Sequence, residues 1–509
     1  MSVATACPTA LPADAGCPRY PWSLRGPAVA AGSAAFFRVV LGAAVCWWSA
    51  HYLLSGRAHL LCSDAVMHFN WPGFEWVPAP GTVGTSLLFG ILFVSGLLLL
   101  AGTAARAASA ITCAGLTWFF LTDQTSYQNH YYLLLLLTGI GSVLPLSRTL
   151  SVDAESSARP ALIPCWVLQV LRFHIALPYL FGGISKLDPE WLSGRPMLLL
   201  LCDRLDLQPG DSPAEVGALI LTWGGLVFDV AIVPLLLWKR TLPFAFPALV
   251  IFHLVNACLF PIHIFPWFMI GASTVFLPPD WPTRFLRQRA AGENSQAQAG
   301  SAVVLAEWQE PTPPGDFLLL TICCWCLLQL LLPLRHLAIP GDASWTEQGH
   351  FFAWRMMLRG KTGEVHFLAT RPADGYSWLA DHSRLLHQEQ LDRFSIDPEM
   401  IRQVAATIAG LHQERTGERI EVRALALASL NGRPPALLID PEVDLAAEPE
   451  SASKGTWILP KPPASDLLWR HPPGDWVRRI SLPDRWQKIL HRRDEPVTTG
   501  LTQVNKISD

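Results

Sequence analysis

The sequence predicts a mainly α-helical polytopic membrane protein of about nine transmembrane helices, followed by an extracytoplasmic α+β domain at the C-terminal end. Three observations lead there. Of 509 residues, 51% are apolar and only 16% charged, against roughly 25% charged in a soluble protein, and the mean hydropathy is +0.29. Apolar runs able to cross a bilayer, which takes about 17–25 residues, recur from Gly32 to Leu334. Beyond that point short alternating stretches and turn residues take over. The net charge of −3 and the lack of a basic run give no footing for nucleic acid.

The chain begins with Met1 to Leu24, which lacks a basic segment followed by an apolar core, so no cleavable signal peptide is expected. The expected spans are Gly32–Leu54, Val83–Ala101, Ala104–Leu121, Tyr131–Leu146, Ala161–Ile184, Val216–Trp238, Leu242–Phe260, Ile264–Leu277 and Phe317–Leu334. The third, fourth and eighth are short. With the N-terminus inside, inside segments hold ten basic residues: Arg19, Arg25, Arg106, Arg148, Arg159, Lys239, Arg240, Arg284, Arg287 and Arg289. Outside loops hold four: Arg57, Lys186, Arg195 and Arg204. That bias predicts a cytoplasmic N-terminus, and an odd number of spans then puts the tail outside. The expected division is 1–31 cytoplasmic, 32–335 transmembrane and 336–509 extracytoplasmic. Within it, residues 290–302 read as a low-complexity linker.

In the tail, Phe351–Leu358 and Glu364–Ala369 read as strands joined at Gly360–Gly363. Asp397-Pro398 reads as an N-cap with proline at the first helical position, opening a helix to His412. Ile420–Leu430 and Pro435–Ile439 read as strands flanking an Asn431-Gly432 turn. After Glu448 the chain turns irregular, with one short helix around Pro483–His491. No cysteine follows Cys326, so the tail holds no internal disulfide. No CxxC pair reads as a metal site.

Ionisable groups inside spans are costly and usually functional. Here they are Arg38, Arg172, His174, Asp229 and His253, with Asn256 three residues after His253 on the same helix face. As a purely structural set they would form buried pairs such as Arg172 with Asp229. Together they suggest an internal polar cavity. Lys186 closes the fifth span, in Phe181-Gly-Gly-Ile-Ser-Lys-Leu-Asp-Pro-Glu-Trp191, where hydrocarbon meets water. It reads either as a snorkelling anchor or as a catalytic amine. Asp123, Asn129 and His130 end the third span at the same face, which makes His130 and Lys186 a candidate acid/base pair.

These stretches resemble the vitamin K-dependent γ-glutamyl carboxylase family, which carries the horizontally transferred transmembrane (HTTM) domain. The matching motifs are Asp123–His130, Phe181–Trp191, Asp229, Phe252–Asn256, Ile264–Met269 and Pro279–Pro282, with Phe352–Met357 and Asp440–Asp444 in the tail. The resemblance runs from about Phe36 to Leu445. It implies that a lysine amine deprotonates vitamin K hydroquinone, a reduced menaquinone or a similar quinone. The anion then reacts with O2, giving an epoxide through a strongly basic alkoxide. That base takes a γ-proton from a peptide glutamate, which adds CO2. The family's catalytic lysine falls on Lys186 and its essential histidine on His130, with Asn129 as a hydrogen-bond partner. His253, Asn256 and Asp229 are expected to bind the quinone. The expected partners are a glutamate-containing peptide or protein, membrane lipid and quinol; the oligomeric state is left open. Ser185 stands where the animal enzymes have a second lysine, and their long C-terminal lumenal extension is not expected here, so substrate docking is expected to differ. The expected absence of a signal peptide and the cysteine-free tail are compatible with a bacterial inner membrane. Two alternatives stand beside this reading: a quinol epoxidase without glutamate carboxylation, and a non-catalytic transport or scaffold protein of the same fold.

Overall fold

A computed structural model describes residues 24, 26–154, 161–260, 262–286, 314–356, 359–449, 456–465 and 467–491. The expected linker at 290–302 lies outside them. The chain separates into two compact units, described in turn.

The first unit is helical. Its long helices are α1 (Gly32–Leu54), α3 (Thr82–Ala101), α4 (Ala105–Thr122), α6 (Cys165–Ser185), α9 (Ser212–Leu237), α10 (Leu242–Leu259) and α12 (Asp316–Leu331). Shorter ones are α2 (Arg57–Cys62), α5 (Asn129–Gly141), α7 (Pro189–Leu192), α8 (Arg195–Leu205) and α11 (Phe265–Ala272). The two-residue strands β1 (Val29–Ala30) and β2 (Leu162–Ile163) pair antiparallel. Among the described residues, six helical segments are long and apolar enough to cross a membrane: α1, α3, α6, α9, α10 and Asp316–Ala338. The other three expected spans also fold as helix, as α4, α5 and α11, but α5 has only 13 residues and α11 only 8.

α6 is the central helix. Its most apolar window is 83% buried, against 11% for the segment carrying α12, so α12 faces outward over most of its length. α1 crosses α3 at small residues. A Cβ on Gly42 would lie 2.5 Å from the Leu100 nitrogen, and one on Gly96 would lie 2.7 Å from Cys46 Sγ. Only glycine allows backbones that close. Two buried arginines of the spans each donate to a carbonyl group. Arg38 donates to the Leu150 oxygen, and Arg172 Nε donates to the Val275 oxygen at 2.8 Å. The Arg172–Asp229 pair suggested by the sequence does not form, because Arg172 turns to that carbonyl and Asp229 to Lys186. His174 Nδ1 donates to the Val170 oxygen at 2.7 Å, and its Nε2 accepts from Trp325 Nε1 at 2.9 Å. That is a structural tautomer lock.

Residues 351–354 belong to this unit and are not a strand, contrary to the alternating pattern. Phe352 and Trp354 take left-handed backbone angles, φ +57 and +54, which a strand cannot accommodate. Their rings pack on Tyr132, each with centroids 5.0 Å away. Phe352 also meets the Tyr127 ring at 4.9 Å.

The second unit is built on an antiparallel sheet of β3 (Lys361–Thr370), β4 (Ser377–Ala380), β5 (Glu421–Leu430) and β6 (Ala436–Leu437), in the order β4-β3-β5-β6. β3 pairs with β5 from Lys361–Leu430 to Thr370–Glu421. α13 (Gln388–Phe394), α14 (Pro398–Thr416) and α15 (Asp484–His491) complete it. The Asp397 side chain caps α14 by accepting from the Glu399 and Met400 nitrogens at 2.9 and 3.3 Å, as the sequence predicted. The Asn431-Gly432 turn has φ +51 and +65, the angles of a tight hairpin turn. Gly363, read as a turn residue, lies inside β3. A Cβ there would fall 2.1 Å from the Ser395 oxygen, so the glycine serves a close backbone approach.

A buried ionic knot ties this unit together. Glu347 takes both arms of the Arg359 fork and the Lys361 ammonium at 3.0 Å. Lys361 also donates to the oxygens of Trp345 and Ile396, at 2.5 and 2.6 Å. Burial pulls Lys361 below the ordinary lysine range, and the Glu347 carboxylate opposes that pull.

Candidate functional site

Lys186 is the C-cap of α6, 8% exposed, and its Nζ lies 2.5 Å from Asp229 Oδ2 on α9. The ammonium also sits 5.3 Å from the Trp191 ring centroid. Asp188 orients Trp191 by capping α7, accepting from the Glu190 nitrogen at 2.9 Å. Lys186 is therefore a buried amine paired with Asp229. The sequence lets the pair form through Gly182, one turn back on the same face. A Cβ there would lie 3.1 Å from Asp229 Oδ2 and 3.8 Å from Lys186 Nζ.

Two turns before Lys186, on the same helix face, Tyr179 meets His253 of α10, with Oη and Nε2 2.7 Å apart. Both are buried. The other His253 nitrogen, Nδ1, has no hydrogen-bond partner among the described residues. Phe228 and Phe252 stack beside it with centroids 3.7 Å apart. Phe265 lies between two imidazoles, 6.2 Å from His253 and 5.8 Å from His130. His130 Nε2 is sealed from solvent and also lacks a partner among the described residues. α6 thus brings Lys186, Asp229 and His253 to one helix face, and Phe265 links His253 to His130.

Other expected site residues fall differently. Asn129 Oδ1 accepts from Tyr127 Oη at 2.9 Å, so its recorded partner is Tyr127 and not His130. Asp123 is spent on its own turn, accepting from the Thr125 nitrogen at 2.7 Å, and lies 3.4 Å from His68. Asn256 is half-buried one turn beyond His253, and its side chain has no hydrogen bond among the described residues. The sequence pattern did not single out Tyr179, and Gly182 and Phe265 entered only as members of the stretches Phe181–Trp191 and Ile264–Met269. The seven-residue spacing from Tyr179 to Lys186, with a glycine between, was the available signal for the first two. Phe265 lay inside the stretch Ile264–Met269 that carries the family resemblance, but its place in the site depends on how α11 meets α5 and α10.

This is a polytopic helical membrane protein with a buried amine–carboxylate pair and, at His130 and His253, buried imidazole nitrogens with no hydrogen-bond partner among the described residues. Residues 28–281 match the HTTM domain, and residues 315–463 match the vitamin K-dependent gamma-carboxylase lumenal domain. No solved structure matches the chain. The chain belongs to the vitamin K-dependent γ-carboxylase-like family, and its function is carboxylase-like.

Proposed function

We propose that the protein couples oxygenation of a reduced quinone to CO2 addition on peptide glutamate. The co-reactants are vitamin K hydroquinone or a similar reduced menaquinone, O2 and CO2. The observation that carries this is the Lys186–Asp229 pair, two helical turns from Tyr179–His253 on one face of α6. Quinol fits the residues present. The orphaned His253 Nδ1 and His130 Nε2 offer hydrogen-bonding atoms among the rings of Phe228, Phe252 and Phe265. When bound, quinol supplies the reducing power for O2 and the strong base for the glutamate γ-proton.

His253 and these rings hold and orient the quinone head, with Asn256 one turn away. Lys186 Nζ takes the hydroxyl proton. A protonated amine cannot do so, and Nζ shares its proton with Asp229. Its lone pair is free when that proton rests on the Asp229 carboxylate, so Asp229 aims the amine and accepts its proton. His130 stabilises negative charge as it develops, as a donor in fixed geometry.

His253→Leu should raise the KM for quinol about tenfold, the worth of one hydrogen bond of about 1.4 kcal/mol. Thermal unfolding of the same protein separates this from a folding defect. A variant that folds normally and keeps the wild-type KM removes His253 from the quinone site.

We place the N-terminus in the cytoplasm and residues 336–509 outside a plasma membrane of the bacterial inner-membrane type. The ten-to-four bias of basic residues supports this orientation. A reporter active only in the cytoplasm, fused after Asp509, should be silent. A working fusion overturns the orientation.

A further inference from the structure

We propose that residues 349–354 form a strap that fixes the position of His130, and that Tyr127, which joins the strap to α5, is a positioning residue for the oxygenation step. This rests on the role given to His130 above.

The backbone of the strap is strained. Phe352 and Trp354 hold left-handed angles, φ +57 and +54. Gly349 just before them is also left-handed, φ +74, and a Cβ there would lie 2.8 Å from His336 Cβ. Bulky side chains avoid this region. Such angles persist where the surroundings impose them, and they gather at clamps and functional sites. Arg335, in the turn Leu332–Ala338, donates to the Phe351 oxygen. Its Cζ lies 5.9 Å from the Phe352 ring centroid. Trp71 packs on Phe351 and Phe352, with centroids 5.0 and 5.2 Å away. Trp71 is itself anchored, its Nε1 donating to the Phe120 oxygen at 2.6 Å.

The grip of the strap falls on the residues around His130. Phe351 and Phe352 meet the Tyr127 ring at 5.1 and 4.9 Å. Phe352 and Trp354 meet the Tyr132 ring, both at 5.0 Å. His130 therefore lies, in the chain, between two tyrosines held by the same strap. A hydrogen-bond chain reaches closer still. The Phe352 backbone N–H donates to Tyr127 Oη at 2.9 Å, and Tyr127 Oη donates to Asn129 Oδ1 at 2.9 Å. Asn129 opens α5 and directly precedes His130. On the other flank, Tyr131 is held by the Tyr52 hydroxyl at 3.0 Å, and its ring lies 4.2 Å from the imidazole.

His130 Nε2 has no hydrogen-bond partner among the described residues, so the neighbours of His130, and not a bond at that atom, set where the imidazole stands. A donor serves a developing charge only when it is aimed beforehand, and a misplacement of about 1 Å can cost about a hundredfold. If the strap only filled space, its rings would do that work and the Tyr127 hydroxyl would be dispensable. The chain Phe352–Tyr127–Asn129 makes the hydroxyl the part that matters.

The test uses the purified full-length protein with Tyr127→Phe, Asn129→Ala and the double variant. Tyr127→Phe keeps the ring and cuts the chain at both bonds. At saturating quinol its epoxide rate should fall about tenfold or more, with the KM for quinol changed less than about twofold. The double variant should be no slower than Asn129→Ala alone, because the two residues act through one chain. Hydrogen exchange is the second readout. The Tyr131 and Tyr132 amides, which bond the Gln128 oxygen, should exchange about tenfold faster in Tyr127→Phe, with the rest of α5 unchanged. Phe352→Leu keeps the N–H but loosens the grip on both tyrosines, and it should show the same changes if Tyr127→Phe does not fold. A wild-type epoxide rate in folded Tyr127→Phe overturns the proposal. So do losses that multiply in the double variant, since Tyr127 then acts apart from Asn129. A wild-type protein that makes no epoxide defeats the quinol reading alone. The exchange rates then decide the strap by themselves, and unchanged protection of Tyr131 and Tyr132 in Tyr127→Phe overturns it.

Discussion

Lys186→Ala should lower epoxide formation from a supplied quinol by about 10²–10⁴-fold, the usual contribution of a positioned proton-transfer group. A small primary amine should restore part of the rate, since the truncated side chain leaves space beside Asp229. Lys186→Arg should stay inactive, because guanidinium does not give up its proton. His130→Ala should also lose activity but gain nothing from amine, since a donor in fixed geometry is missing. Lys186 is 8% exposed and 2.5 Å from Asp229, so truncation also strands a buried carboxylate, which costs about 3–5 kcal/mol when one partner of a buried pair is removed. The double variant Lys186→Met with Asp229→Asn removes both charges. It should unfold close to the wild-type temperature while remaining inactive. Near-normal epoxidation in Lys186→Arg would reduce Lys186 to an anchoring charge.

Glu347→Ala should destabilise the sheet-bearing unit by about 3–5 kcal/mol, because it leaves two buried cations without their carboxylate. Arg359 and Lys361 both depend on Glu347, and the carbonyl groups that Lys361 also touches cannot neutralise its charge. For a unit of this size each kcal/mol moves the midpoint by about 2–4 °C, so a drop of roughly 10 °C is expected. Glu347→Gln keeps the shape and some hydrogen bonds and should fall between the two. Thermal unfolding followed by the fluorescence of buried Trp345 and Trp476 reads the effect. A Glu347→Ala midpoint within 2–3 °C of wild type, about 1 kcal/mol, would mean the knot contributes packing alone.

The helical membrane unit was legible because its signal is local: apolar runs of bilayer length ended by glycine, proline and charge. The Asp397 cap, the Asn431-Gly432 turn and the strand after Ile420 were legible for the same reason, since each is fixed by adjacent residues. The failures are long-range. Phe351–Leu358 alternates like a strand, yet the rings of Phe352 and Trp354 are claimed by Tyr127 and Tyr132, more than 200 residues earlier in the chain. Gly363 looked like turn chemistry because the approaching Ser395 backbone is 32 residues away. In the candidate site, Lys186, His130, Asp229 and His253 could be singled out as polar groups in apolar surroundings. That Asp229 would choose Lys186 over Arg172 depends on the angle between α6 and α9, which no local pattern records. Asn129 was expected as a partner of His130, whereas its Oδ1 accepts from Tyr127 Oη.

The most direct measurement supplies the purified protein with vitamin K hydroquinone, O2, labelled bicarbonate as the CO2 source and a glutamate peptide. Epoxide and labelled peptide are followed together. The expected result is that both form, that both vanish in Lys186→Ala, and that both return in part with added amine. Epoxide without label in the peptide would contradict the coupling and leave a quinol epoxidase. Neither product, from protein that is folded and binds quinol, would contradict the proposed chemistry altogether.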